Sequence, residues 1–141
     1  MKNLDKSNGI ILSNELFDAL PHHLFYVKDG NVFEKYVEIN NNKFSEILDK
    51  PSDDCIEKRL SDIAYNLDNI QGEIMCKKHQ MVNKFISVLD KGYILSIDYG
   101  MKEKDLFYNG KKNSFMSVIN NHNFEDEYFH QPGLSDITFQ V

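Results

Sequence analysis

The chain has little of what would tie it to a nucleic acid, a membrane or an oxidising compartment. Among its 141 residues, 16 lysines and arginines stand against 22 aspartates and glutamates, a formal net charge of -6, and no Lys/Arg-rich block occurs. Binding a nucleic acid through its phosphates needs a basic face, and an anionic membrane surface asks for the same, so neither is expected as a partner. No apolar run approaches the roughly 18 residues of a membrane span, and the opening MKNLDKSNG has no signal-peptide apolar core. The expectation is a soluble protein of the cytoplasm. The mitochondrial matrix is the alternative, although no Arg-rich amphipathic transit segment is visible. Cysteine is scarce too: Cys55 and Cys76 are too few and too far apart for a CxxC pair, so two reduced thiols are expected. His22, His23, His79 and His130 show no Cys or carboxylate arrangement at metal-ligand spacing, and no metal site is assigned.

What is present can build a core. The chain is 41% hydrophobic with 10 Phe and 7 Tyr, enough to bury on the order of two thirds of its unfolded surface in one domain or a piece of one. GIILS, residues 9 to 13, reads as a strand of the kind buried on both faces of a parallel sheet. LFYVK and NVFEKYVEI alternate with period two around Asp29-Gly30, which predicts a β-hairpin over residues 23 to 39. FSEILDK reads as a short helix ending before Pro51. Ser52 is a candidate N-cap for an amphipathic helix over residues 53 to 68, with Ile56, Leu60, Ile63, Ala64 and Leu67 on its apolar stripe. A second helix is expected from about Cys76 to Leu89, stopped by Gly92 and followed by the strand YILSID. Further on, FMSVI is a candidate strand, HNFEDEYFHQPG reads as loop, and DITFQV begins another strand. The fold class is α/β with a mainly parallel sheet and an inserted β-hairpin. Both ends of the chain break into strand pattern abruptly, as expected of an internal portion of a larger α/β domain.

The chemistry gathers at two strand ends. In open α/β sheets ligands bind beyond the carboxyl ends of the strands. GIILS delivers Asn14, Glu15 and Asp18 to such an end, and YILSID delivers Asp98 and Tyr99 to another. Neighbouring strands would bring these acceptors into one crevice suited to a sulfonium, an amine or a guanidinium. Spacing alone favours the same residues as caps: Asn14 or Asp18 for the turn after the first strand, Asp98 for the next loop.

NELFDALP closely resembles the NE-x-x-DALP signature of the MidA-like S-adenosylmethionine-dependent methyltransferases, whose mitochondrial members are protein arginine methyltransferases needed for respiratory complex I assembly. GEIMCKKHQMVNKFISVLDKGYILSIDYG is similar to that family's next block, and His122 with PGLSDITFQV to the one after. Three blocks in order cover nearly the whole chain. The resemblance implies a partial class I (Rossmann-like) methyltransferase sheet: a single partial domain over residues 1–141, from the fourth strand onward, with S-adenosylmethionine as cofactor. It places Asn14, Glu15 and Asp18 at the tip of the fourth strand, facing the cofactor methyl and the incoming nucleophile. On that reading Asn14 contacts the cofactor, Glu15 the guanidinium, and Asp18 supports it as the second catalytic carboxylate. Asp98, Tyr99 and His122 then touch substrate, Pro21 shapes the turn, Glu73 is a helix-opening acid, and Asp136 and Thr138 cap and pair the returning strand.

The family's first strand, glycine-rich loop and ribose-binding acid have no counterpart here. No GxGxG occurs, and the seven glycines are scattered singly. Without those contacts isolated activity is not expected. The apolar edge of GIILS is left to pair with a complementary N-terminal half, or with another copy of the chain. Two functions therefore compete: a portion of a methyltransferase acting on protein arginine, or a non-catalytic remnant serving as a small protein-interaction module.

Overall fold

The computed structural model of the chain describes residues 5–62, 69–100, 117–120, 123–125, 129 and 133–139. Three small sheets and two helices make up this part. Strand β1 (Ser7–Asn14) pairs in parallel with β6 (Leu89–Ile97). β2 (His23–Lys28), β3 (Asn31–Asn40), β4 (Lys43–Asp49) and β5 (Ile70–Ile74) form an antiparallel sheet in the order β4-β3-β2-β5. β7 (Ser117–Asn120), β8 (Asn123–Glu125) and β9 (Asp136–Thr138) form the third, in the order β8-β7-β9. Helix α1 (Asp54–Ser61) lies between β4 and β5, and α2 (Lys78–Val88) leads into β6.

The mixed α/β class holds, but the expected predominance of parallel pairing does not. Among the described residues β1 and β6 are the one parallel pair. The reason lies in the turns. Asp29 and Gly30 adopt φ of 51° and 73°, the double positive φ of a type I′ hairpin, and join β2 to β3 as the alternation predicts. Asn41 and Asn42, at 49° and 58°, repeat the device one strand later. A two-residue turn can only return an antiparallel neighbour. FSEILDK is therefore strand β4, not a helix. Its alternation lets Glu46 meet Lys35 at 3.2 Å and Ser45 donate to Glu38 at 3.2 Å across the pair.

Helix α1 begins one residue later than Ser52 suggests. The Asp53 side chain accepts from the Cys55 N–H at 2.9 Å and is the N-cap, a role in which Asp matches Ser. Ile56 and Leu60 of its stripe are buried; Ile63, Ala64 and Leu67 lie outside the described residues. Ile56 and Leu60 form the core with Phe25, Val27 and Ile74, and Val32, Ile70, Cys55 and Cys76 pack against it. Gly72 and Glu73 belong to strand β5, facing Phe25 and Leu24, so Glu73 does not open a helix. The expected free thiols are instead a Cys55–Cys76 disulfide, Cα–Cα 5.8 Å, which staples α1 to the end of the β5 region. Chain spacing hid this pairing because the fold, not the sequence, brings α1 back across the sheet.

The tail follows expectation in β7 and β9. Within HNFEDEYFHQPG, read as loop, Asn123–Glu125 forms β8 against β7. GIILS is not buried on both faces: Ile10 and Leu12 of β1 are 70% and 66% exposed.

Candidate active site

The parallel pairing of β1 and β6 decides what stands together. Asn14 lies beside Ile97, so both strands end at one level and the residues that follow are neighbours. Glu15 takes φ of 48° and its N–H donates to the Ile97 carbonyl at 2.8 Å, turning the chain sharply off the strand. The positive φ is an uncommon conformation for a glutamate, of the kind that collects at functional sites. Its carboxylate is exposed. Oε1 accepts from the Asn14 amide at 3.3 Å and from the Tyr99 hydroxyl at 3.4 Å, both long bonds that leave most of its accepting capacity open.

Asp98 has a different situation. Oδ2 accepts from the N–H groups of Leu16 and Phe17 at 3.1 and 2.8 Å, and Oδ1 from its successor Tyr99 at 3.0 Å. It ties the loop after β1 to the tip of β6, and so holds Glu15 where it is. Of the two alternatives, the bonds show the capping one: Asp98 caps the turn that presents Glu15.

Asp18 is buried, 5% exposed, and is held from the far end of the chain. Thr138 Oγ1 donates to its Oδ2 at 2.6 Å, and the Phe139 N–H donates to its carbonyl at 3.2 Å. Its Oδ1 is buried with no hydrogen-bond partner among the described residues, which is costly unless something meets it. Thr138 thus does more than pair the returning strand. Nothing in local sequence could have linked it to Asp18, 120 residues away. Leu20 donates to Phe17 to close the turn before Pro21. His22 then stacks on Phe139 with ring centroids 4.2 Å apart and bonds the Leu20 carbonyl through Nδ1 at 2.7 Å. Burial pushes its pKa below the ordinary value, as do His23 and Lys78, against the raising effects of the Leu20 bond and Asp18. Beneath the loop, Phe17 meets Phe85 of α2 edge-on at 6.4 Å. His122 lies outside the described residues.

The structure thus unites Asn14, Glu15, Asp98 and Tyr99 around one strand-end turn and sets Asp18 just below it against β9. Ser13 and Ser96, in register one step down, add a hydroxyl pair at 2.9 Å that sequence reading did not single out.

Against this geometry, the family model described as "Putative S-adenosyl-L-methionine-dependent methyltransferase" matches residues 1–141. The chain belongs to this family. Its fold agrees with that of a Burkholderia thailandensis protein described as a "likely methyl transferase" and solved bound to S-adenosyl-homocysteine. The TM-score is 0.86 and the identity 22%, over 100% of this chain and 37% of that one. The native crystal structure of an uncharacterised protein of the same superfamily from the same organism gives the same TM-score and identity, over 97% and 37%. The chain therefore spans 37% of the length of the solved structures it matches. No curated protein matches it.

Proposed function

We propose that this chain is a portion of an S-adenosylmethionine-dependent methyltransferase of the MidA-like group, acting on protein arginine and inactive alone. One observation carries the reading: an exposed glutamate, turned out by a positive φ and steadied by Asn14 and Tyr99, at the coplanar tips of adjacent parallel strands. That is where open α/β sheets take their ligands. When bound, S-adenosylmethionine supplies an electrophilic methyl on a sulfonium. The residues here fit a cation-facing wall of such a site, with Asn14 toward the cofactor. No GxGxG cradle occurs among these 141 residues.

Glu15 accepts N–H bonds from the guanidinium, holds it in line, and favours the deprotonating nitrogen as it attacks. Tyr99 and Asp98 frame the substrate side and Asp18 supports the loop from beneath, while a substrate contact by His122 rests on the family resemblance alone. The B. thailandensis protein bound to S-adenosyl-homocysteine supports the cofactor assignment through the shared fold.

Two measurements test this. Calorimetry of the chain alone with S-adenosylmethionine should show no micromolar binding, and a complementary portion carrying strand and glycine-rich loop should restore it; micromolar binding by the chain alone would contradict the missing cradle. In the reconstituted enzyme, Glu15→Gln should abolish methyl transfer with cofactor affinity nearly intact, whereas unchanged turnover removes Glu15 from the site. The second reading, a protein-interaction module, is favoured by the apolar exposure of β1 and β6 and is the outcome if reconstitution yields binding of a partner but never of cofactor.

A further inference from the structure

A second cluster, away from the strand tips, brings together side chains with metal-binding chemistry. A ring nitrogen of His23, a carboxylate oxygen of Asp53 and the Sγ of Cys76 all lie within 4.8 Å of one another. They come from three separate elements: His23 opens β2, Asp53 caps α1, and Cys76 follows β5. Cys55 Sγ, bonded to Cys76 Sγ, adjoins this cluster as a second sulfur.

We infer that, with the Cys55–Cys76 disulfide reduced, these four residues form a zinc site, and that closing the disulfide abolishes it. Two thiolates, one imidazole and one carboxylate are a tetrahedral donor set for Zn2+. Tetrahedral bonds of about 2.0–2.3 Å separate the donors by roughly 3.3–3.8 Å, so His23, Asp53 and Cys76 must draw together from within 4.8 Å while the two sulfurs, once reduced, move apart. The surroundings meet the further requirements of a metal site. Glu34, buried at 6% exposure, engages His23 Nδ1 at 2.7 Å, which leaves Nε2 for the metal. A carboxylate behind a ligating imidazole is the usual supporting contact. Glu34 is itself fixed by the Ser52 N–H at 2.6 Å and the Tyr36 hydroxyl at 2.9 Å. His23, Asp53, Cys55 and Cys76 are half-buried, which leaves an entry path.

The chemistry balances with a dithiol as reductant. The dithiol closes to its own disulfide and delivers two electrons and two protons to the S–S bond, giving two thiols. Zn2+ then displaces both thiol protons to solvent as the two Zn–S bonds form. A two-electron oxidant such as a disulfide reverses the sequence and releases the ion.

Co2+, which reports thiolate ligation by its absorption, is the probe. The full chain is reduced with dithiothreitol under argon, freed of reductant and titrated with Co2+, then with Zn2+. One equivalent should raise a thiolate-to-cobalt charge-transfer band with tetrahedral d–d bands, which Zn2+ bleaches, with two protons released per ion bound. The oxidised chain should show no band. His23→Gln and Asp53→Asn should each weaken cobalt binding roughly tenfold or more, and Glu34→Gln by about 10–100-fold. Asn caps a helix as well as Asp does, so Asp53→Asn removes a ligand without removing the cap; an unchanged circular dichroism spectrum verifies this. No band from the reduced chain overturns the inference, and so does a band whose affinity is untouched by both His23→Gln and Asp53→Asn.

Discussion

The Glu34 carboxylate is held by His23, Ser52 and Tyr36. Desolvation pushes its pKa up, but hydrogen bonds from His23, from Ser52 and from Tyr36 outweigh this and bring it down from 4.5 to about 2. A depressed carboxylate contributes stability that is complete above its ordinary pKa and lost as pH falls through the folded value. In the disulfide-closed chain, Glu34→Gln should cost roughly 2–3 kcal/mol at neutral pH. The gap to the parent, read from urea midpoints, should narrow between pH 4.5 and about 2. A gap constant to pH 2 would contradict the depressed value. Asp98 makes a second residue-scale case. Asp98→Ala strips the acceptor from three backbone N–H groups and should cost about 1–2 kcal/mol by chemical denaturation, while Asp98→Asn, which keeps one oxygen, should cost less. That Asp98 had a structural or chemical task was legible in its place after YILSID. The choice between tasks was not, because it depended on which backbone amides a neighbouring strand would present. Glu34 was illegible for the same reason: in sequence it is one polar position in an alternating strand, and its partners lie up to 18 residues away.

At the scale of elements, local signals succeeded wherever one stretch decides its own conformation. The Asp29-Gly30 hairpin, the burial of Ile56 and Leu60 on α1 and the YILSI strand all follow from composition and spacing. FSEILDK is illegible locally because its alternation is short, and the positive φ of Asn41-Asn42, which makes it a returning strand, belongs to the turn before it. Gly92 shows a subtler miss. Read as a helix stop, it lies inside β6 opposite Gly9, where an added Cβ would overlap the Gly9 carbonyl oxygen. The two glycines let the parallel strands approach at the irregularity between Ser7 and Gly9. Gly92→Ala should therefore push β1 from β6 at this end. Amide exchange across residues 9–13 should quicken, while residues of the β2–β3 hairpin keep their protection. Equal protection in parent and variant would show that the contact is relieved without cost to the pairing.

For the whole molecule, the pair that carries the candidate site is also the least covered. The register sets Ile10 beside Tyr93, Leu12 beside Leu95 and Asn14 beside Ile97. On that face Ile10, Leu12 and Tyr93 are 70%, 66% and 77% exposed, and Leu95 and Ile97 more than half. A contiguous apolar surface of this kind marks an interface. Among the described residues neither strand has a neighbour on its other edge, which leaves backbone groups ready to pair. In the solved structures of the same fold, this chain's counterpart is 37% of the length. The open face and the free edge of β1 would accept a partner that offers a strand and an apolar layer. Alone, the chain should self-associate in a concentration-dependent way, visible by light scattering. Ile10→Lys and Tyr93→Lys together should reduce that association, since charges on an open sheet face oppose edge and face pairing. Co-expression with a complementary portion should yield a one-to-one complex in which the β1 amides exchange slowly, and the double lysine variant should fail to form it. A free chain that stays monomeric at high concentration, or a complex indifferent to both lysines, would place the partner surface elsewhere.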